Sequence, residues 1–373
     1  MNIFRKQNLY SRYMTTKQQV MPLMDPLHII GGGSIGLLFA SSIRAAFPSY
    51  PLSVLLRDHH KSRIDEDTNE IMVCLLKQGR PRMVPVPARL ISDKNARRPI
   101  QNLIVSTKAY TAATAVQSVL HRFDPQTPSN IIVLCNGAFA VKEELSQLLS
   151  STNVHKNVKI VLATTTHGAY QEASGGNITN RDDGFDMYRV IHAGEGLTFV
   201  QNHPSLSQLW DQAGLFSKSI SEQDMHVMLW QKLAANCTIN PLTAIHRCEN
   251  GQLLSPELTT GSNNNHLPSL QDILLEVSSV ATATEDAASN DNATDKSLQL
   301  LQYDPLRSFV EKVIKDTFHN KSSMLQDVTK KQNTEIDYLN GFVVKMGKQL
   351  GIDTPANSEM CRRIHDLSSS KPC

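Results

Sequence analysis

LHIIGGGSIGLLFASSIRAAF, residues 27 to 47, reads as a short apolar strand running into Gly31-x-Gly33-x-x-Gly36 and then a helical pattern. The first glycine permits a tight turn, the second lets a pyrophosphate approach the backbone, and the third allows close packing of the helix whose N-terminus faces the phosphate. A glycine trio alone is weak evidence, and its bland alternative is a structural turn. A strand before it and a helix after it supply the context that a dinucleotide site requires. Gly31, Gly32, Gly33, Ser34, Ile35 and Gly36 are therefore candidate cofactor ligands.

Further apolar runs follow at PLSVLLRD (51 to 58), NLIVSTK (102 to 108), NIIVLCNG (130 to 137), VKIVLATTT (158 to 166) and YRVIHAG (188 to 194). Nearly continuous apolar strands alternating with helical segments such as 111 to 122 and 140 to 150 indicate a parallel, doubly wound α/β sheet. Ligands of such sheets sit beyond the carboxyl ends of strands, where Lys108 and Asn136 fall, although a strand cap and an Asn-Gly turn are the plain alternatives. Arg57 ends the second run at the position where NAD enzymes place a ribose-binding carboxylate. A cation there favours a 2′-phosphate and hence NADP, whereas Asp58, one residue on, would favour NAD. The Gly/Asn/Asp-rich stretch 167 to 184 reads as a loop or hairpin at the sheet edge.

Beyond about Glu222 strand patterns give way to helical ones, so 22–222 is expected to form a nucleotide domain and 223–373 a helical one. In WQKLAANCTINPLTAIH, residues 230 to 246, Lys232, Asn236 and Asn240 recur at four-residue spacing within an apolar segment. They point either into a ligand pocket or, as an amphipathic stripe, to solvent. Two polar stretches, 259 to 267 and 285 to 296, read as solvated loops flanking a helix over 269–284. Near the end, the helical run MLQDVTKK lies between Ser322-Ser323 and Thr334-Glu335, and a second helix is expected from Glu335 to Gln349, with Thr334 as its cap.

Composition narrows the function classes. The 373 residues are 40% hydrophobic and 19% charged with a formal net charge of +2, which gives no support for a nucleic-acid footprint. No apolar run reaches the ~18 residues of a membrane helix. Six scattered cysteines argue against zinc and against a disulfide scaffold, and fit a reducing compartment. Before Asp25 there is no acidic residue, while Arg5, Lys6, Arg12 and Lys17 alternate with aromatic and apolar residues. Residues 1–21 therefore read as a disordered basic tail or a mitochondrial leader, and the compartment as cytoplasmic or mitochondrial.

In order along the chain, GGGSIG, STKAY, CNG, WQKLAANCTINPLTAI with CENGQL, and SSMLQDV followed by TEIDYLNG resemble the ketopantoate reductases over about residues 27 to 365. The resemblance implies a Rossmann domain, an all-helical C-terminal domain like that of 6-phosphogluconate dehydrogenase, and NADP(H) with a 2-keto acid in the cleft between them. It assigns Lys232 as general acid and Glu335 as its catalytic partner. The glycine loop would hold pyrophosphate, Arg57 and Lys108 the adenosine-phosphate end, and Asn136 the nicotinamide side. Asn136, Asn236, Asn240, Asn250 and Ser323 would bind substrate. Cys135, Ala138 and Phe139 depart from the family's usual Gln-Asn-Gly-Met-Gly, which is expected to reshape the nicotinamide pocket. Alternatives are a reductase of another branched 2-keto acid and a silent member acting as a mitochondrial regulatory protein. A monomer or homodimer is expected, with no metal, nucleic acid or membrane.

Overall fold

Leu27–Ile30 (β1) is buried along its whole length and carries a parallel strand on each side, Leu52–Leu56 (β2) and Asn102–Val105 (β5), with Ile30 level with both Leu55 and Val105. The structure, a computed structural model, describes residues 23–93, 99–152, 155–172, 187–260, 267–288 and 295–369. Ser129–Val133 (β6) and Val158–Thr165 (β7) continue the parallel run beyond β5. Strands covered on both faces are apolar at nearly every position because neither face meets water. One face is covered by Ser34–Ala46 (α1), the other by Ala112–Val119 (α2) and Ala138–Ser150 (α3).

The parallel expectation holds for this centre and not for the whole sheet. Two hydrogen-bonded additions make it mixed and eleven-stranded. On one side Thr198–Gln201 (β10) runs antiparallel to β7 and carries Ser217–Ile220 (β11), with Pro204–Trp210 (α4) between them in sequence. On the other, β2 pairs with the last residues of Arg80–Leu90 (β4), which forms a hairpin with Glu70–Lys77 (β3). Beyond β3 lie Tyr188–Gly194 (β9) and the edge strand Gly168–Gln171 (β8). YRVIHAG thus belongs to the added section and not to the central parallel run. β8 and β9 lie against α1, so Gln171 Nε2 reaches the carbonyl of Gly32 at 2.6 Å.

Strands end at Ile220, and helix Glu222–His246 (α5) begins after Ser221, whose hydroxyl accepts from Asp224 N–H at 3.1 Å. Around α5 pack Pro256–Thr260 (α6), Leu270–Ala288 (α7), Asp295–Gln299 (α8), Tyr303–Asp316 (α9), Ser323–Thr329 (α10), Asn340–Leu350 (α11) and Pro355–Ser369 (α12). The chain therefore has an N-terminal α/β unit and a C-terminal all-helical unit. Among the described residues no helix is long and apolar enough to cross a membrane.

Two expectations need correction. Residues from 285 on are not all solvated loop, because α7 continues to Ala288 and the half-buried Glu285 carboxylate accepts from Trp230 Nε1 at 2.9 Å. The last helix pair is also displaced: α11 starts at Asn340 and Thr334 caps nothing, since Glu335 precedes a short 3-10 turn, Ile336–Tyr338, that breaks at Leu339. The expected basic leader, most of the 167 to 184 loop and the centres of both polar inserts lie outside the described residues.

Pro241 sits inside α5 and has no N–H to give the Cys237 carbonyl one turn back. Asn340 supplies the missing donor, its Nδ2 lying 2.9 Å from Cys237 O and 3.0 Å from Asn357 Oδ1. Asn357 Nδ2 in turn donates to Glu276 at 2.7 Å, whose carboxylate also accepts the Ala356 and Asn357 N–H groups at the start of α12. One polar chain thus joins α5, α11, α12 and α7. Asn340→Leu should lower unfolding free energy by about 1–3 kcal/mol, because it strands a buried carbonyl. Pro241→Ala in the same chain should recover part of that loss by restoring a backbone donor. Urea denaturation of the two single variants and the double variant checks this, and strictly additive losses would contradict the coupling.

Candidate active site

A cleft of about 1710 Å³ opens at the carboxyl ends of β1, β2, β5, β6 and β7 and is closed from the other side by α5, α10 and the segment around Glu335. The glycine loop forms one end. Gly31 has φ +120°, and a Cβ there would fall 3.0 Å from Ser106 C and Thr107 N. A Cβ on Gly36 would fall 2.4 Å from Gly31 O, so only glycine lets α1 seat this close to the turn. Gly33, the N-cap of α1, offers no side-chain acceptor, and the first turn carries no acid. Beside it the buried Thr107 hydroxyl has no hydrogen-bond partner among the described residues. Open helix N–H groups, a close backbone and a spare hydroxyl fit a dinucleotide pyrophosphate.

At the adenosine end β2 stops at Leu56, which places Arg57 first beyond the strand, exposed at the cleft wall. Asp58 accepts a short hydrogen bond from the Ser92 hydroxyl. Lys108 also lines the cleft, but its amine spans to the helical unit, 2.6 Å from Asp327 Oδ2 on α10. Burial works against that charge, yet Glu335 and Asp327 outweigh it and hold the Lys108 pKa above its ordinary value. Burial pushes the Asp327 carboxyl up despite the lysine beside it. Asp327 is a site residue that sequence reasoning missed, although it stands in SSMLQDV, one turn from Ser323.

Glu335 is 5% exposed and joins the two units with one carboxylate. Oε1 accepts from the Ala109 N–H at 2.9 Å and Oε2 from Asn136 Nδ2 at 3.0 Å. Gly137, next in the chain, has φ 62°, and a Cβ there would fall 2.7 Å from Tyr338 Cβ, so the units meet closely only because the residue is glycine.

Lys232 projects from α5 to the cleft floor, where Nζ donates to Thr164 Oγ1 at 3.1 Å and Thr165 O at 3.2 Å. Burial lowers its pKa, and the neighbouring Cys135 and Glu335 only partly oppose this. The threonines were also missed. Their signal was position, since they end β7 at the edge where ligands of such sheets gather.

Asn236 and Ser323 line the cleft with Lys232, whereas Asn240 and Asn250 do not. Each four-residue step overshoots a full turn by roughly 40°, so Asn240 lies roughly 80° round and 12 Å along the helix from Lys232. It is buried in the bundle. Asn250 opens a 3-10 turn and gives its amide to Thr317 Oγ1 at 2.9 Å. The departure at Phe139 is also absorbed elsewhere than expected. Its ring packs on Phe342 and Trp230, at 5.8 and 5.2 Å, and it does not line the main cleft, while Cys135 does. Burial pushes the Cys135 thiol up, so it stays protonated beside Lys232.

A nucleotide cradle facing a buried amine across a two-unit cleft defines a dinucleotide-dependent oxidoreductase. Models of the ketopantoate reductase PanE/ApbA family match residues 27–224 and, for its C-terminal part, 224–368; the chain belongs to this family. A relative from Vibrio cholerae named 2-dehydropantoate 2-reductase is 33% identical over 273 residues, 72% of this chain and 78% of that protein. A ketopantoate reductase structure from Ralstonia eutropha superposes with a TM-score of 0.70 at 21% identity, covering 92% of this chain and 98% of that one. A D-mandelate dehydrogenase solved with NADH and anilino(oxo)acetate has the same fold, with a TM-score of 0.68 at 19% identity and the same coverage.

The Lys232 ammonium, half-buried and desolvated at the cleft floor, is held in place at the expense of stability. Because its folded pKa lies below the ordinary 10.5, the unfolded chain binds more protons between the two values, and stability rises with pH through that window. Lys232→Met should therefore raise the unfolding free energy by roughly 0.5–2 kcal/mol at neutral pH, with the gain fading as pH rises towards 10.5. Thermal melts across pH check this, and a melting point that falls at neutral pH would refute it.

Proposed function

We propose that this chain reduces the C2 ketone of 2-dehydropantoate to (R)-pantoate with NADPH, on the route to pantothenate and coenzyme A. The reading rests on the buried Lys232 amine, held by two threonine oxygens at the cleft floor with Asn236, Ser323 and Glu335 around it. The names of its relatives support the substrate. Residues 22–222 serve as the nucleotide domain and 223–373 as the catalytic one.

With its pyrophosphate on the glycine loop, the reduced cofactor would supply a hydride to C2 from its nicotinamide. Negative charge then grows on the ketone oxygen, and Lys232 gives that oxygen a proton, which stabilises the transition state more than the ground state. Burial makes the ammonium a stronger acid than a free lysine, closer to what neutral pH requires. Glu335 holds the Asn136 amide at the nicotinamide side and offsets the Lys232 charge. Asn236 and Ser323 bind the carboxylate and hydroxyls and orient the ketone. Lys108 is committed to Asp327, which leaves Arg57 for the 2′-phosphate, while Asp58 is engaged by Ser92.

NADPH oxidation with 2-dehydropantoate and a panel of branched 2-keto acids tests the assignment. 2-Dehydropantoate should be the fastest, and a faster rival would move the assignment to that acid. Lys232→Met should lower turnover by about 10²–10⁴ while NADPH affinity changes little. Glu335→Ala should share part of the defect, with the double variant losing less than the product of the two. Near-normal turnover in a folded Lys232→Met protein removes the lysine from the chemistry.

For the cofactor, Arg57→Ala should weaken NADPH by about tenfold and leave NADH unchanged in direct binding measurements. Equal affinity for both cofactors in the unmodified protein would instead favour Asp58 as a ribose ligand.

A further inference from the structure

The added strands bring a second set of polar groups to the glycine loop. His60 lies in a 3-10 turn, Asp58–Arg63, that follows β2 directly, with its backbone N–H bonded to Arg57 O at 2.9 Å. Its Nδ1 is 2.8 Å from the hydroxyl of Tyr188, which β9 carries in from the far side of the sheet. The Arg63 guanidinium lies 4.6 Å over the Tyr188 ring. With a cation on that side, the hydroxyl proton is favoured where it points to its hydrogen-bonded partner, His60. Nδ1 therefore accepts, and the ring proton sits on Nε2.

Nε2 faces the cleft. It lies 4.0 Å from where a Cβ on Gly32 would be, the Tyr188 hydroxyl lies 3.8 Å from the same point, and His60 lines the cavity. The loop is pinned in this pose by Gln171, which donates to Gly32 O. We propose that His60 is a cofactor-binding residue whose Nε2–H, aimed by Tyr188, donates to a phosphate oxygen of the bound dinucleotide.

The surroundings agree with a phosphate as acceptor. Burial, then His59, Arg63 and Arg57, lower the His60 pKa to about 4, so the ring is neutral near pH 7 with one N–H to give. The cations that disfavour a charged imidazole are themselves what an anion would seek. His59 and Arg63 share its turn, Arg57 precedes it, and Tyr188 faces it from β9.

The inference rests on the reading of the glycine loop as a dinucleotide site. Its test is the dissociation constant of NADPH and of NADH, from cofactor fluorescence, for the unmodified protein, His60→Phe, His60→Gln and Tyr188→Phe, each checked for its melting temperature. His60→Phe should weaken NADPH by about tenfold or more, and His60→Gln, which keeps an N–H donor, should stay within about threefold of the unmodified protein. Tyr188→Phe should fall between them, because the tautomer is no longer enforced. Loss confined to NADPH assigns the 2′-phosphate as acceptor, and equal loss with both cofactors assigns the pyrophosphate. Folded His60→Phe that binds both within about twofold of the unmodified protein, or His60→Gln as weak as His60→Phe, overturns the inference alone. An unmodified protein that binds neither cofactor overturns the dinucleotide reading and this inference with it.

Discussion

The carboxylate of Glu335 is the interaction on which the cleft depends. A carboxylate taken out of water is tolerable only if its oxygens find donors and its charge finds compensation. Both oxygens are met from the nucleotide unit, by the Ala109 N–H and the Asn136 amide, so the helical unit cannot satisfy this group without docking. Charge compensation comes from Lys108 and Lys232, both of which feel Glu335. With Asp327, two acids face two lysines and the polar floor is close to neutral before any ligand arrives. In the proposed reaction a keto acid would add one negative charge beside Lys232 and favour the protonated amine, so that substrate binding would load the proton the reaction consumes.

Other contacts across the junction set its geometry without adding charge. Gly137 permits the backbone of Tyr338 to approach, and Phe139 stacks on Phe342 and packs at a tilt against Trp230. The Phe139 ring does the work of an apolar peg, seated where α3 meets α5 and α11. Its bulk is therefore accommodated at the domain junction, and Cys135 is the departure from the family pattern that remains in the cleft.

What could be read from the chain, and what could not, divides along the range of the interactions. The glycine loop and the central strands were legible because local conformation and two-sided burial leave marks within a few residues, as in LHIIGGGSIG. The β3–β4 hairpin was hidden by Pro81, Pro85 and Pro87, which speak against a strand. They are tolerated because β2 pairs only with Ala88–Leu90, leaving the rest of β4 with β3 alone. Asn240 and Asn250 were placed in the pocket by spacing and motif, but a helix that overshoots at every fourth residue turns Asn240 away, and Thr317 claims Asn250. The pairing of Lys108 with Asp327 spans 219 positions, and that of Trp230 with Glu285 spans 55, so no local pattern could announce either.

The position of Lys232 shows how two distant motifs depend on each other. A proline in mid-helix costs about 3 kcal/mol or more, partly through the carbonyl it leaves without a donor. In α5 that carbonyl belongs to Cys237, five residues after the lysine, and Asn340 of the YLNG segment reaches in to satisfy it. The same asparagine is tied through Asn357 to Glu276 and the start of α12. The helix bearing Lys232, the proposed proton donor, is therefore fixed through its backbone by the three helices behind it. That matters because the lysine itself cannot supply the anchoring: its burial is unfavourable, and its two bonds to Thr164 and Thr165 come from the other unit. An amine set by main-chain placement would, in the proposed role, lose its proton to the substrate without losing its position. The proline and the asparagine, which look like unrelated features of two motifs, are one device for holding it there.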